Sequence, residues 1–281
     1  VLDDVDEAGL EAAVSLVRRI TNVDLSHHPR AALHEGLRKR ASHTGSAANL
    51  DYLSRLNDDH HECHALIDAI AINTSSFFRD PLCFETIDDI VLRDLITDKE
   101  RRGGSGLRFW SAGCSSGEEA FSIAMLAREA LRRRDLPTWP CLVFGTDIDE
   151  GALALARRAR YPRGQLANVR LGMLDRYFVT DGEHFEVADA VRETVHLSRA
   201  DLTNPGCLAP PESVFGDFDM VLCRNVLIYF EAEIRAAVLE RLGRTLRRGG
   251  YLVLGETEAL DPASALLFGA VAQRSRIFRK V

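Results

Sequence analysis

The stretch Phe109-Trp110-Ser111-Ala112-Gly113-Cys114-Ser115-Ser116-Gly117-Glu118-Glu119-Ala120-Phe121-Ser122-Ile123-Ala124-Met125 constrains the fold more than any other part of this chain. An apolar run ends in a glycine-spaced loop, and the loop opens directly into two glutamates and a helical pattern. Strand, tight turn and helix start in that order form a nucleotide-type ligand site at the edge of an α/β sheet. Glycines let the backbone approach a ligand closely, and the free N–H groups of the first helical turn can hold an anionic group. The spacing is not GxGxxG, and two acids at the helix start would repel a pyrophosphate. A ligand end that joins a carboxylate to positive charge fits better. The methionine part of S-adenosylmethionine, with its α-carboxylate, α-ammonium and sulfonium, is such an end.

The flanking sequence agrees with an α/β sheet. Strands are expected at Leu107–Trp110, Leu142–Gly145, Phe218–Cys223 and Tyr251–Gly255, with helices over Glu118–Arg134, from Asp149 through Arg160, and over Glu231–Arg247. That alternation implies a parallel sheet with helices on both faces. Tyr177-Phe178, Phe185-Glu186-Val187 and Thr194-Val195-His196-Leu197 break the pattern and suggest a small antiparallel insert, about 165–200. Residues 1–72 show only helical periodicity, as in Leu10, Val14 and Val17, Leu33 and Leu37, Leu50, Leu53 and Leu56, and Leu66, Ile67 and Ile70. Residues 73–106 read as a linker and a connecting helix that contributes to the site. Pro81 stands at the first helical position, and the helix runs to about Leu95. The expected domains are therefore 1–72, 73–106 and 107–281.

The 281 residues, 46% hydrophobic and 27% charged, suffice for a packed core. With 35 basic and 42 acidic residues the net charge is −7, which argues against a nucleic-acid or anionic-membrane partner. No apolar run reaches the roughly 18 residues of a membrane span. The acidic start Val1-Leu2-Asp3-Asp4-Val5-Asp6-Glu7 reads against a signal peptide. Six dispersed cysteines without CxxC suit reduced thiols, and a cytoplasmic location is expected. His60 and His64 share a helix face within His60-His61-Glu62-Cys63-His64. The HExxH order is absent, so a solvated face is expected there and no metal.

Five motifs then converge: Asn73-Thr74-Ser75-Ser76-Phe77-Phe78-Arg79-Asp80, the Ser111–Glu119 loop, Gly145-Thr146-Asp147-Ile148-Asp149, Asp201-Leu202, and Cys223-Arg224-Asn225-Val226-Leu227-Ile228-Tyr229-Phe230. Together they resemble the CheR family, the chemotaxis receptor methyltransferases, over nearly the whole chain. The resemblance implies an all-α N-terminal domain and a Rossmann-like class I methyltransferase sheet with a small β insert. It also implies an enzyme that transfers methyl from S-adenosylmethionine to glutamate side chains of chemoreceptors, leaving S-adenosylhomocysteine.

The residues implied to contact the donor are Asn73, Ser75, Arg79, Gly113, Gly117, Glu119, Asp147, Asp201, Leu202, Arg224 and Asn225; Arg79 and Tyr229 are implied to be catalytic. Read on their own chemistry, Gly113 and Gly117 make the turn. Glu119 either pairs with the methionine ammonium or complements the helix dipole, while Glu118 is expected in solvent. Asp147 either accepts both ribose hydroxyls or caps the next helix, a task for which Asp149 is better placed. Asp201 stands where the family often has Asn, and either can accept from the adenine amine. Arg79 holds one oxygen of a substrate carboxylate or forms a surface ion pair. Tyr229 adds a hydrogen bond or is a core aromatic.

Between Arg18 and Arg40, six Lys/Arg face two acids. Arg30, His34 and Arg38 recur on one helix face, which suits either docking onto receptor methylation helices or a solvated surface. The short run Val179–Val187, with Gly182 alone, argues against the pentapeptide tether that some family members grip with this insert. Competing readings are a nucleic-acid or amine methyltransferase and a non-catalytic donor-binding module. The first is disfavoured because Arg224-Asn225-Val226-Leu227 occupies the place of (Asp/Asn)-Pro-Pro-(Tyr/Phe), the second by the presence of Arg79 and Tyr229.

Overall fold

The computed structural model describes residues 7–21, 25, 30–46, 49–70, 75–104, 106–213 and 216–281. The chain divides into two compact units, Val1–Asn73 with Ile228–Glu231, and Thr74–Leu227 with Ala232–Val281.

The first unit is helical: α1 Glu7–Thr21, α2 Arg30–His43, α3 Asn49–Asp58 and α4 His60–Ile70. The apolar periodicity becomes its core, in which Leu10, Val17, Leu33, Leu37, Leu56, Leu66 and Ile70 are buried together. Gly36 lets α2 lie close on α4, since a Cβ there would stand 2.3 Å from Ile70 Cγ1. The basic face is less bare than its sequence suggests. Arg30 pairs with Glu7 at 3.3 Å and Glu11 at 3.4 Å, and Arg38 pairs with Glu35 at 2.6 Å. Arg40 binds Glu62, which also accepts the Tyr52 hydroxyl at 2.8 Å. Counting charge from Arg18 to Arg40 misses Glu7, Glu11 and Glu62, which other helices bring alongside. Among the described residues no group of three or more His, Cys, Asp or Glu is placed to hold a metal ion, and no helix is long and apolar enough to cross a membrane. The His64 side chain lies outside the described residues.

The second unit opens with α5 Pro81–Thr86, which runs through a π turn at Ile87–Leu92 into α6 Arg93–Arg101, so the connecting helix is longer than expected. Asp80 caps it and Pro81 takes its first position. Next come β1 Leu107–Ala112, α7 Glu118–Arg133, β2 Cys141–Asp147 and α8 Glu150–Arg158. Asp149 caps α8 by accepting from Gly151 N at 2.7 Å and Ala152 N at 3.1 Å. Then follow β3 Arg160–Pro162, α9 Leu171–Tyr177, β4 Phe178–Thr180, β5 His184–Val187, α10 Asp189–Arg192, β6 Val195–Arg199 and β7 Phe218–Cys223. The unit ends with α11 Ala232–Thr245, β8 Leu246–Leu254, α12 Pro262–Ala265, β9 Phe268–Ala272 and β10 Ile277–Lys280.

The main sheet has the order β6-β2-β1-β7-β8-β10-β9, and β3-β5-β4 form a separate small sheet. Two expectations need correction. Val195–Leu197 belongs to β6, an edge strand parallel to β2, and not to the insert; the insert instead recruits Arg160–Pro162. The sheet is also not wholly parallel, because β10 runs antiparallel to both β8 and β9. The turn before β10 places Arg276 at φ 49°. No Gly or Asn marks that hairpin, so its usual sequence signal is missing.

Glu129 ties α7 to the insert region. It accepts from Arg132 at 2.8 Å, from the Tyr177 hydroxyl at 2.6 Å and from Arg176. Burial alone would raise its pKa, but these three donors outweigh burial and hold the carboxyl at about 2. A depressed carboxylate adds stability that is present above the ordinary pKa and is lost as pH falls through the folded value. Glu129→Gln should therefore cost about 2–3 kcal/mol near neutral pH. Denaturant titrations of the two proteins should converge as pH falls from about 4.5 toward 2. A pH-independent gap would show that the charge is not what stabilises this junction.

Candidate active site

The strand order fixes where a ligand can enter. From β1 the chain proceeds to β2 and then β6 on one side, while β7 and β8 lie on the other. Ligands bind outside the carboxyl ends of parallel strands where the winding reverses, here between β1 and β7. The ends of β1, β2, β6 and β7, with the loops and the helix start that follow them, therefore gather at one edge, and they carry every donor-contact residue read from the sequence except those before β1.

The loop after β1 folds as its glycines require. Gly113 and Gly117 take φ of 84° and 93°, a region that favours residues without a Cβ. Gly113 N and Cys114 N donate to Thr146 O at 2.7 and 2.9 Å, which hangs this loop on β2. A Cβ on Gly113 would stand 2.3 Å from Val226 Cγ2, so the loops after β1 and β7 touch at this glycine. Ser115 is itself left-handed, at φ 48°, and its N–H donates to Asp147 at 2.7 Å.

Asp147 ends β2 and accepts the Asp149 N–H at 3.0 Å as well. Burial raises its pKa in spite of those backbone donors. The capping task falls to Asp149, as expected, which leaves Asp147 facing the loop after β1. Glu119 accepts the Ser111 hydroxyl at 2.7 Å and pairs with Arg224 at 3.3 Å. Burial pushes its pKa up as well, with Arg224 opposing. Glu118 corrects an expectation, for it is fully buried. The Ser116 hydroxyl contacts both of its oxygens, at 3.0 and 2.8 Å, and Ser75 bonds it too. The residue at the helix start that sequence reading left in solvent is thus the one that anchors Ser75.

The Arg79 turn is built on two buried rings. Phe77 packs edge-on against Tyr161 and Phe178, and Phe78 against Phe84. Phe78 N donates to Ser122 Oγ at 3.0 Å. Phe78 and Asp80 both have positive φ, 52° and 63°, so the backbone doubles back on either side of Arg79. Two such residues store about 1–3 kcal/mol each. The result is an exposed Arg79 whose guanidinium has no hydrogen bond or ion pair among the described residues. A surface ion pair, the bland alternative for this residue, is therefore not found there.

Arg224 is the hinge of the constellation. Its side chain is only 3% exposed and pairs with both Asp80 and Glu119 at 3.3 Å. It donates to Arg79 O at 3.2 Å and lies over the Phe84 ring. Burial disfavours its charge, yet Glu119 and Asp80 keep it firmly protonated. Its Nε is buried with no hydrogen-bond partner among the described residues. Asn225 follows at φ 58°. Asp201 makes a local turn, accepting from Thr203 N and Oγ1 at 2.8 and 2.7 Å. It lies beside Asp147 because Ala200 N donates to Asp147 O at 2.9 Å. Leu202 is buried, and its carbonyl accepts from Arg241. Asn73 lies outside the described residues. Tyr229 sits on the 3-10 turn Leu227–Tyr229 and, with Ile228–Glu231, falls in the first unit and not in the second.

Residues 73–277 match the family model described as CheR methyltransferase, SAM binding domain, and residues 8–71 match CheR methyltransferase, all-alpha domain. The chain belongs to the CheR methyltransferase family. It joins an S-adenosylmethionine-binding methyltransferase domain to the family's all-α domain. Chemotaxis protein methyltransferase 1 of Pseudomonas aeruginosa is 36% identical over 200 residues, covering 70% of this chain and 69% of that protein. The chemotaxis protein methyltransferase of Escherichia coli is 30% identical over 256 residues, covering 90% and 85%. An uncharacterized 104.1 kDa protein of Rhodobacter capsulatus is 34% identical over 229 residues, 81% of this chain but 23% of that one. The CheR chain thus spans less than a quarter of one such relative and most of another.

Sequence reading missed Glu258. Its carboxylate accepts from Asn225 N, Val226 N, Leu227 N and Gly255 N at 2.6–3.0 Å. The only sequence signal is an acid shortly after the end of a buried strand, which is too common to single out.

Proposed function

We propose that this chain transfers a methyl group from S-adenosylmethionine to glutamate side chains on the cytoplasmic methylation helices of chemotaxis receptors. The observation that carries the reading is the exposed Arg79, whose guanidinium has no partner among the described residues, held in a strained turn against Arg224. Strain of this kind persists where it presents a group for use.

The crevice suits the donor. Asp147 offers acceptors for the ribose hydroxyls and Glu119 charge for the ammonium, while Arg224, assigned to the donor site from the family motif, braces Glu119. Asp201, Leu202 and Asn225 line the remaining loops, with Asn73 and Ser75 assigned from the family motif. The bound donor supplies an electrophilic methyl on a sulfonium. A glutamate side chain is ionised above its ordinary pKa of about 4.3 and needs no general base. What the protein must add is placement. Arg79 can grip one carboxylate oxygen while the other attacks in line. Tyr229 is assigned a part in catalysis from the family motif alone. Transfer neutralises carboxylate and sulfonium together, so a water-poor site favours it.

The direct test is radiolabelled donor with a receptor cytoplasmic fragment. Base-labile methyl ester supports the reading. Base-stable label would point to another methyl acceptor, and binding without transfer to a sensing module.

For the donor site, Asp147→Ala should weaken S-adenosylhomocysteine binding by about 1.5–3 kcal/mol in calorimetry. Because burial raises Asp147 and Glu119, wild-type affinity should begin to fall at a pH above the ordinary carboxylate range. Unchanged affinity in a folded Asp147→Ala variant would remove Asp147 from the site.

Docking is proposed to use the α2 face. Charge reversal at Arg30 and Arg38 should raise the apparent KM for receptor more than it lowers kcat, with a smaller effect at high salt. Both arginines already carry exposed internal partners, which limits the effect to a modest one. Unchanged low-salt kinetics would leave this face as plain surface. The insert hairpin turns through Asp181-Gly182-Glu183, with Asp181 accepting from Glu183 N and His184 N. So tight a turn leaves little loop to enclose a peptide, and in the same assays a receptor C-terminal pentapeptide should neither bind nor compete.

A further inference from the structure

We infer that Glu258 is a positioning residue of the methyl-donor site, acting through the backbone of Asn225–Leu227. The inference rests on the reading that the crevice beside β7 holds the donor.

Four backbone N–H groups converge on one carboxylate that is only 3% exposed. Oε2 takes Asn225 N at 3.0 Å and Gly255 N at 2.6 Å, while Oε1 takes Val226 N at 2.9 Å and Leu227 N at 2.7 Å. Successive N–H groups in such a turn form an anion nest, and here the protein supplies the anion itself. Burying a carboxylate costs several kcal/mol unless it is fully bonded, and these charge-assisted bonds offset that cost. Gly255 must be glycine to admit it, because a Cβ there would stand 2.7 Å from Glu258 Oε2 and 2.9 Å from Asn225 N.

The consequence lies on the donor side of the loop. Held by these bonds, Asn225 keeps a left-handed backbone at φ 58°, which a free chain disfavours. Val226 is held over Gly113, where its Cγ2 occupies the space a side chain on that glycine would need. Arg224, directly before this turn, is thereby aimed at Glu119 and Asp80. Glu258 therefore fixes Asn225, Val226 and Arg224 together, while its own carboxylate is taken up by backbone amides.

Glu258→Gln keeps the size but turns one oxygen into an N–H₂ that faces donors. It should weaken S-adenosylhomocysteine roughly tenfold to hundredfold in calorimetry. Glu129→Gln, which also removes a bonded carboxylate from this unit, should lower the melting temperature and leave that affinity within about twofold. Glu258→Asp keeps the charge but shortens the reach, and should bind more weakly than wild type. In donor-free wild type, the amides of Asn225, Val226, Leu227 and Gly255 should exchange slowly with solvent. A folded Glu258→Gln that melts lower yet binds as wild type does would overturn the inference, as would fast exchange at those amides. Should wild type itself fail to bind S-adenosylhomocysteine, the donor reading falls first, so the two failures are distinguishable.

Discussion

Replacing Arg79 with alanine should cut methyl transfer about 100-fold or more while leaving the fold intact. The fold should survive because the guanidinium is exposed and makes no hydrogen bond or ion pair among the described residues. The turn is held instead by the buried rings of Phe77 and Phe78 and by the bond from Phe78 N to Ser122. On the proposed mechanism the activity should not survive, because an incoming carboxylate loses the cation proposed to orient it. Arg79→Lys should recover only part of the rate, since an ammonium keeps the charge but not the two-pronged geometry. The measurement is initial-rate methyl-ester formation on a receptor fragment, with donor affinity measured in parallel. A loss confined to donor binding would move Arg79 to the donor side. Turnover close to wild type in Arg79→Ala would end its assignment to catalysis.

The largest loss of stability should follow Arg224→Met. The single change leaves Asp80 and Glu119, 31% and 16% exposed, without their shared cation. Breaking a buried pair from one side costs about 3–5 kcal/mol, chiefly through the charge left behind. Asp80 is the more exposed partner and solvent will screen part of its share, so the lower end of that range is expected. Adding Glu119→Gln should recover part of the loss, because the stranded carboxylate is then gone. Denaturant midpoints of the single variants and the double variant give the coupling. A double variant as unstable as the sum of the singles would show that Arg224 acts by packing on Phe84 and not by its charge.

The two experiments separate residues that sequence reading grouped together. Arg79 and Arg224 both entered as arginines in motifs. Among the described residues one is exposed and without a side-chain partner, and the other is buried with Nε alone unbonded. That division depends on which carboxylates arrive from elsewhere, and no local pattern reports it. Glu118 and Glu119 make the same point. Both stand in the first turn of α7, yet Glu118 turns inward to Ser116 and Ser75 while Glu119 meets Ser111 and Arg224.

Local chemistry, by contrast, was legible. The left-handed turns at Gly113 and Gly117, the cap at Asp149, Pro81 opening its helix and β7 at Phe218–Cys223 all depend on neighbours within a few residues, and the structure has them there. The helical core was legible for the same reason, since Leu10, Val17, Leu33 and Leu37 recur at the helical period. Tertiary structure alone decided that Val195–Arg199 joins β2, and that β10 enters the sheet antiparallel. It also decided that Glu258 fastens the turn after β7. Hydrogen bonding between strands, and between a carboxylate and distant amides, is set by which segments meet, and a sequence states only what each segment is by itself.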